Sequence, residues 1–174
     1  MHTFELTLAD TDRGVYGTWT FPVARHPSES GPYLVSRLLA FALEHEEGIA
    51  FSAGLSDGDE PAVWVKDLTG QLRVWIEVGA PDPNRIHRAS KACDRVAIYV
   101  HRGLDAYLRT IAGAKVHAPD RVSIVSLDRG VVEAIAERVD RRNKLSVTVS
   151  GGEVFVELGG ESWSMPLVTQ SWPG

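Results

Sequence analysis

A chain of 174 residues with 44% hydrophobic side chains is the size of one domain with a substantial core. A formal net charge of −5 argues against a tight, sequence-independent grip on a polyanion, and a single cysteine, Cys93, excludes an internal disulfide framework. No apolar run approaches the ~18 residues of a membrane span, and no basic-then-apolar leader follows Met1, so a cytoplasmic protein without membrane association is expected.

In chain order, Phe4–Leu8 and Val15–Phe21 alternate apolar and polar residues around the turn Asp10-Thr11-Asp12-Arg13-Gly14, which predicts an opening β-hairpin. Ser28 or Ser30 is the N-cap candidate of a helix running through Tyr33, Leu34, Leu38, Leu39, Phe41 and Leu43, with Gly48 a plausible stop. A short strand at Ile49–Phe51 and a loop over Gly54–Asp59 lead into a second hairpin. Its strands are Val63–Lys66 and Leu72–Ile76, joined by Asp67-Leu68-Thr69-Gly70.

Pro83 suits the first turn of a helix that ends near Cys93. Val96–Val100 is an apolar run of the kind found in strands covered on both faces. A helix over Leu104–Ile111, a strand over Val122–Val125 and a helix over Val131–Arg142 follow. Leu145–Val149 and Val154–Leu158 flank the hairpin turn pair Gly151-Gly152. The whole chain, 1–174, therefore reads as one α/β (α+β) domain with a mixed β-sheet and β-hairpins at both ends.

The second hairpin carries the most chemistry. Its closure brings positions near 61 opposite positions near 77, so Glu60 and Glu77 meet at its open end. Glu77 shares a face with Arg73 and Trp75, the more polar one. Two carboxylates at that distance suit Mg²⁺, with Mn²⁺ as substitute, and such an ion activates water and neutralises charge developing on a phosphate. The plainer reading is a pair of solvated acidic groups.

Basic residues cluster at Arg85–Arg95, with His87, Arg88 and Lys91, and at Arg138–Lys144; the plainer reading of both is the wet face of a helix. Arg25 and His26 precede the first helix and could rim a site. Asp10 and Asp12 could bind a cation, a solvated turn being the simpler reading. Trp64 and Trp75 could stack bases or pack the sheet face. No zinc cluster, phosphate loop or dinucleotide fingerprint occurs.

Several segments together resemble the YaeQ family over nearly the whole chain. They are Asp10-Thr11-Asp12-Arg13, Ala24-Arg25-His26-Pro27-Ser28-Glu29, Arg37-Leu38-Leu39-Ala40-Phe41, Asp59-Glu60-Pro61, Trp75-Ile76-Glu77-Val78-Gly79, Pro81-Asp82 and Arg85-Ile86. The resemblance implies a variant PD-(D/E)xK nuclease-like fold with an α-β-β-β-α-β core. It also implies a Mg²⁺-dependent phosphodiesterase acting on nucleic acid, or a protein of that fold that has lost hydrolysis and serves as a binding or interaction module.

Carried over, the motif's Pro-Asp becomes Pro61-Ala62, with Glu60 as substitute carboxylate, and its Glu-x-Lys becomes Glu77-Val78-Gly79. The expected site is then Glu60 and Glu77 as catalytic metal ligands, with Glu29 as a third ligand drawn from the first helix. Arg88 or Lys91 stands in for the missing lysine, Lys91 by chemistry and Arg88 by position. Arg25, His26 and Arg85 are the expected nucleic-acid contacts. For Glu29 the simpler alternative is stabilisation of the helix N-terminus.

Overall fold

The computed structural model describes residues 1–53 and 59–173. Residues 54–58 of the expected Gly54–Asp59 loop lie outside the described residues. The elements in chain order begin with β1 (His2–Asp10), β2 (Val15–Val23), α1 (Gly31–Leu43), β3 (Ile49–Phe51), β4 (Val63–Lys66), β5 (Leu72–Val78) and α2 (Pro83–Ala92). They continue with β6 (Arg95–Val100), α3 (Leu104–Ile111), β7 (Val122–Ser126), α4 (Arg129–Ala136), β8 (Arg142–Ser150), β9 (Glu153–Leu158), β10 (Glu161–Pro166) and β11 (Val168–Ser171).

The α/β fold with mixed sheets is present, and the terminal hairpins have a partner the sequence did not indicate: each other. They form a five-stranded sheet of order β10-β9-β8-β1-β2, in which β1 and β8 run parallel from Thr3↔Arg142 to Asp10↔Val149. The middle of the chain forms a six-stranded sheet of order β11-β7-β6-β5-β4-β3. Within it β5, β6 and β7 are parallel, linked by the crossover helices α2 and α3, as parallel neighbours require.

Helix α1 lies between the two sheets. Ser30 caps it, accepting from the Tyr33 N–H at 3.2 Å. From Leu34 to Leu43 every residue is buried. A helix apolar on nearly all sides belongs inside, where each large side chain such as Leu34, Leu38 or Leu39 contributes about 1.5–3 kcal/mol by leaving water. One core joins α1, the inner side chains Phe4, Leu6 and Leu8 of β1, and Val63, Ile76 and Tyr99 of the six-stranded sheet. A second core lies on that sheet's other face, where Trp75, Ile98 and Ile124 meet Ile86 of α2 and Tyr107 and Ile111 of α3.

The Asp10–Gly14 turn is exposed from Thr11 to Gly14 and also acts as a fastener. Asp10 is buried and receives both the backbone N–H and the guanidinium of Arg13, at 3.0 and 2.7 Å. Arg13 also donates to the Ala42 and His45 carbonyls, satisfying the C-terminal end of α1. Asp12 accepts the N–H groups of Gly151 and Gly152 at 2.8 and 2.9 Å. Those glycines have φ of +58° and +75°, the left-handed pair that a tight primed hairpin turn demands.

Helix α4 is shorter than its sequence pattern predicts. It ends at Ala136, and Arg142 already begins β8. The stretch Arg138–Lys144 is therefore connector and strand, with Asn143 holding the bend through the Asp140 N–H and carbonyl at 2.7 Å each. Among the described residues, no helix is long and apolar enough to cross a membrane.

Candidate functional site

The β4–β5 register pairs Val63 with Ile76 and Trp64 with Trp75, so its next step sets Ala62 against Glu77 and leaves Glu60 at the hairpin's open end. Glu77 does share a face with Trp75, but α2 covers that face and Glu77 is only 7% exposed. Its Oε1 accepts the Trp75 Nε1–H at 2.7 Å and the Arg85 Nε–H at 2.6 Å. Arg85 also donates to the Glu60 backbone carbonyl at 2.6 Å, and its guanidinium lies 5.4 Å from the Trp75 ring centroid. One arginine from α2 thus ties both ends of the acidic hairpin. Trp75 packs in the core beside it, whereas Trp64 stays half-buried under the Lys66 ammonium, 3.8 Å from its ring.

The Glu60 carboxylate accepts the Ala53 N–H at 3.0 Å, and the Ser52 hydroxyl donates to the Pro61 carbonyl beside it. Glu29 is buried at 4% exposure and held by Arg37, whose guanidinium makes bonds of 2.7 to 3.0 Å to both carboxylate oxygens. Arg37 is a residue the sequence reading passed over. The signal was a lone arginine inside the apolar run of α1, eight positions after an acid, since a buried charge needs a partner.

Tyr33 links the two ion pairs electrostatically. Its phenol is pushed up to about 12, first by burial and then by the Glu77 charge, with Glu29 adding and Arg37 and Arg85 opposing. The start of α1 therefore does lie near the end of β5. Arg25 donates to the Glu29 carbonyl at 2.9 Å, and His26 pairs through Nδ1 with the Ser28 hydroxyl at 2.7 Å; both side chains are exposed. On α2, Arg88 is exposed and lines a cavity of about 170 Å³ with Asp59, Trp75 and Arg85. Lys91 is exposed one turn further along and is not part of that lining.

At the position of the expected lysine, Gly79 has φ of +104° and donates its N–H to the Tyr99 carbonyl at 2.9 Å. No atom lies within 4 Å of where a Cβ would stand, so backbone conformation rather than crowding disfavours a side chain there. Each expected metal-ligating carboxylate has a donor from the protein: Glu29 faces Arg37, Glu60 faces a backbone N–H, and Glu77 faces Arg85. Among the described residues no three His, Cys, Asp or Glu side chains gather as metal ligands.

The chain is 29% identical over 169 residues to the uncharacterized protein YaeQ of Salmonella typhi, covering 97% of this chain and 93% of that one. It is 27% identical over 169 residues to the Escherichia coli K12 YaeQ, covering 92% and 93%. The crystal structure of YaeQ from Pseudomonas syringae superposes with a TM-score of 0.87 at 36% identity, covering 99% of this chain and 95% of that one. The YaeQ structure from Xanthomonas axonopodis pv. citri gives 0.89 at 30% identity, covering 99% and 97%. The family model described as YaeQ protein matches residues 1–167, and the chain belongs to the YaeQ family.

Proposed function

We propose that this protein is a nucleic-acid-binding module built on a nuclease-like core, in which the Arg85 guanidinium sits where a hydrolytic member would hold its metal ion. The observation that carries the reading is Arg85 bridging the Glu77 carboxylate and the Glu60 carbonyl, both at 2.6 Å. The order α1-β3-β4-β5-α2-β6 supports the nuclease-like core, being helix, three strands, helix, strand. Ala62 and Gly79, standing where such a core carries a carboxylate and a lysine, weigh against hydrolysis. Arg88 lies exposed beside Arg85, with Arg25 and His26 on the lead-in to α1, and these are the basic contacts offered to phosphates. A net charge of −5 keeps such binding local and salt-sensitive.

A second reading, cleavage dependent on Mg²⁺ or Mn²⁺, draws on the same convergence: two oxygens from the two arms of the hairpin meet around one positive charge at its open end. It requires Arg85 to leave, after which Glu77 and Glu60 would hold the ion, and the ion would supply an activated water.

The test is a titration of Mg²⁺ and Mn²⁺ against thermal stability in wild type, Glu77→Ala and Arg85→Ala, beside binding of labelled oligonucleotides in EDTA. The module reading expects metal-free binding and no cation-induced shift in wild type. Specific binding to the folded state must raise stability, by about 2.7 kcal/mol at a hundredfold excess over Kd. A rise in wild type that Glu77→Ala abolishes overturns the module reading in favour of the metal-dependent one. Absence of any oligonucleotide binding overturns the module reading outright.

A further inference from the structure

The parallel strands β5, β6 and β7 end side by side, and their carboxyl ends open into the loops before α2, α3 and α4. In open α/β sheets that edge is where ligands bind. Here it holds a cavity of about 510 Å³ whose walls include Pro81, Asp82, Arg102, Gly103, Tyr107 and Arg129.

The charges in this cavity are unequally committed. Asp82 is occupied as the cap of α2, accepting the Asn84 N–H at 2.8 Å. Among the described residues Arg129 pairs with Glu133 on its own helix, at 2.8 Å, with side chains 63% and 47% exposed. An exposed pair of that spacing is worth roughly 0.3–0.5 kcal/mol, so an anion displaces Glu133 at little cost. Arg102 makes no ion pair among the described residues. Two arginines from different strand ends thus line one space, whose own acid, Asp82, is engaged as the cap of α2. Gly103 starts α3 without a side-chain cap, which adds backbone donors to the same wall but does not make the site.

Tyr107 joins this cavity to the Glu77–Arg85 pair. It is buried against the second core and donates its hydroxyl to the Pro81 carbonyl at 2.9 Å. Its phenol is raised by burial and further by the charges of Glu77 and Asp82, which places it within electrostatic reach of both. Neighbouring strands lie ~4.8 Å apart, so the far side of the cavity is roughly 10 Å from β5. At about 3.4 Å per nucleotide, a helical strand covers that distance in about three steps.

We propose that this cavity is a phosphate subsite, in which Arg102 and Arg129 grip a backbone phosphate of a nucleic-acid strand whose adjoining nucleotides lie over Arg85 and Arg88. The guanidinium fork suits a phosphate's paired oxygens, and both arginines sit on the rim where a polymer passes without entering the core. The subsite rests on the nucleic-acid reading above for its ligand's identity, but its anion chemistry stands apart from any metal.

The experiment measures anisotropy of a labelled single-stranded oligonucleotide, and of its duplex, in EDTA over a salt series. Wild type, Arg102→Ala, Arg129→Ala and the double variant are compared, with Arg109→Ala, exposed on α3 outside the cavity, as control. Inorganic phosphate is titrated in parallel against thermal stability. Each cavity variant is expected to flatten the slope of log K against log salt by about 0.7 on the single strand and about 0.9 on the duplex. The double variant is expected to bind roughly tenfold more weakly, while Arg109→Ala behaves as wild type. Oligonucleotide binding left unchanged in the double variant overturns the subsite and spares the nucleic-acid reading. Phosphate stabilisation that the double variant loses, without oligonucleotide binding by wild type, supports the subsite and overturns that reading. No response to either probe overturns both.

Discussion

Removing Arg37 tests whether Glu29 belongs to the wall of the protein or to its chemistry. The Glu29 side chain is 1% exposed and that of Arg37 4%, with three bonds of 2.7 to 3.0 Å between them. Among the described residues, Arg37→Ala leaves the carboxylate with one donor, the His26 N–H at 3.4 Å. It also removes the donor to the Ala24 carbonyl and the contact over Phe51. Breaking a buried pair from one side costs about 3–5 kcal/mol, because the partner's charge stays behind. At about 2–4 °C per kcal/mol for a chain of this size, the melting temperature falls by roughly 6–20 °C. Replacing both members, Arg37→Met with Glu29→Leu, recovers most of that loss, since an apolar pair incurs no charge burial. Urea unfolding of wild type, Arg37→Ala and the Arg37→Met/Glu29→Leu double variant is the assay. A loss below about 1 kcal/mol in Arg37→Ala would refute the reasoning, showing that Glu29 reaches water and is available to a cation.

Restoring the nuclease-type lysine as Gly79→Lys is expected to destabilise by about 1–3 kcal/mol, because φ of +104° is unfavourable for any side chain, and to produce no metal-dependent cleavage. A stable, cleaving variant contradicts this. Asp12→Ala frees the N–H groups of Gly151 and Gly152 and should cost about 1–2 kcal/mol by chemical unfolding, with faster hydrogen exchange at that turn. His45 lies against Trp19, with ring centroids 3.8 Å apart and planes tilted by 37°, and burial, aided by Arg13, lowers its pKa. The unfolded chain therefore binds that proton first. The stability held by neutral His45 is complete above about pH 6.5 and drains as pH falls through the lowered folded value. A shallower loss of stability on acidification in His45→Leu is the expected outcome; an unchanged slope would place the proton uptake elsewhere.

The elements legible in the sequence are those whose period survives in the fold. Phe4, Leu6 and Leu8 alternate because one face of β1 meets α1, and Val96–Val100 is continuously apolar because β6 is covered on both sides. Helix α3 has the predicted bounds, Leu104–Ile111. Helix α4 does not, because Glu137 to Arg142 continues a polar pattern that a connector shares with a helix surface. Strands β10 and β11 have little period to read: along β10 only Met165 is buried, and β11 is exposed throughout. At the site, the spacing in the second hairpin identified Glu77 and Glu60. It was silent on what α2 would lay over them, because the Glu77–Arg85 contact depends on how a helix docks rather than on any pattern along the strand. Arg85, expected among the nucleic-acid contacts, is placed as the partner of Glu77.

The parallel pairing of β1 with β8 has a consequence during synthesis. Thr3 finds its partner Arg142 only after almost the whole chain has been made. At about 5–20 residues per second, the opening hairpin waits on the order of 7–26 s for the strand that covers its second edge. Until then the backbone groups along that edge of β1 have no strand to pair with, in a two-stranded ribbon that is marginal by itself. The timing of the β8 strand thus decides when the opening hairpin becomes part of a larger sheet.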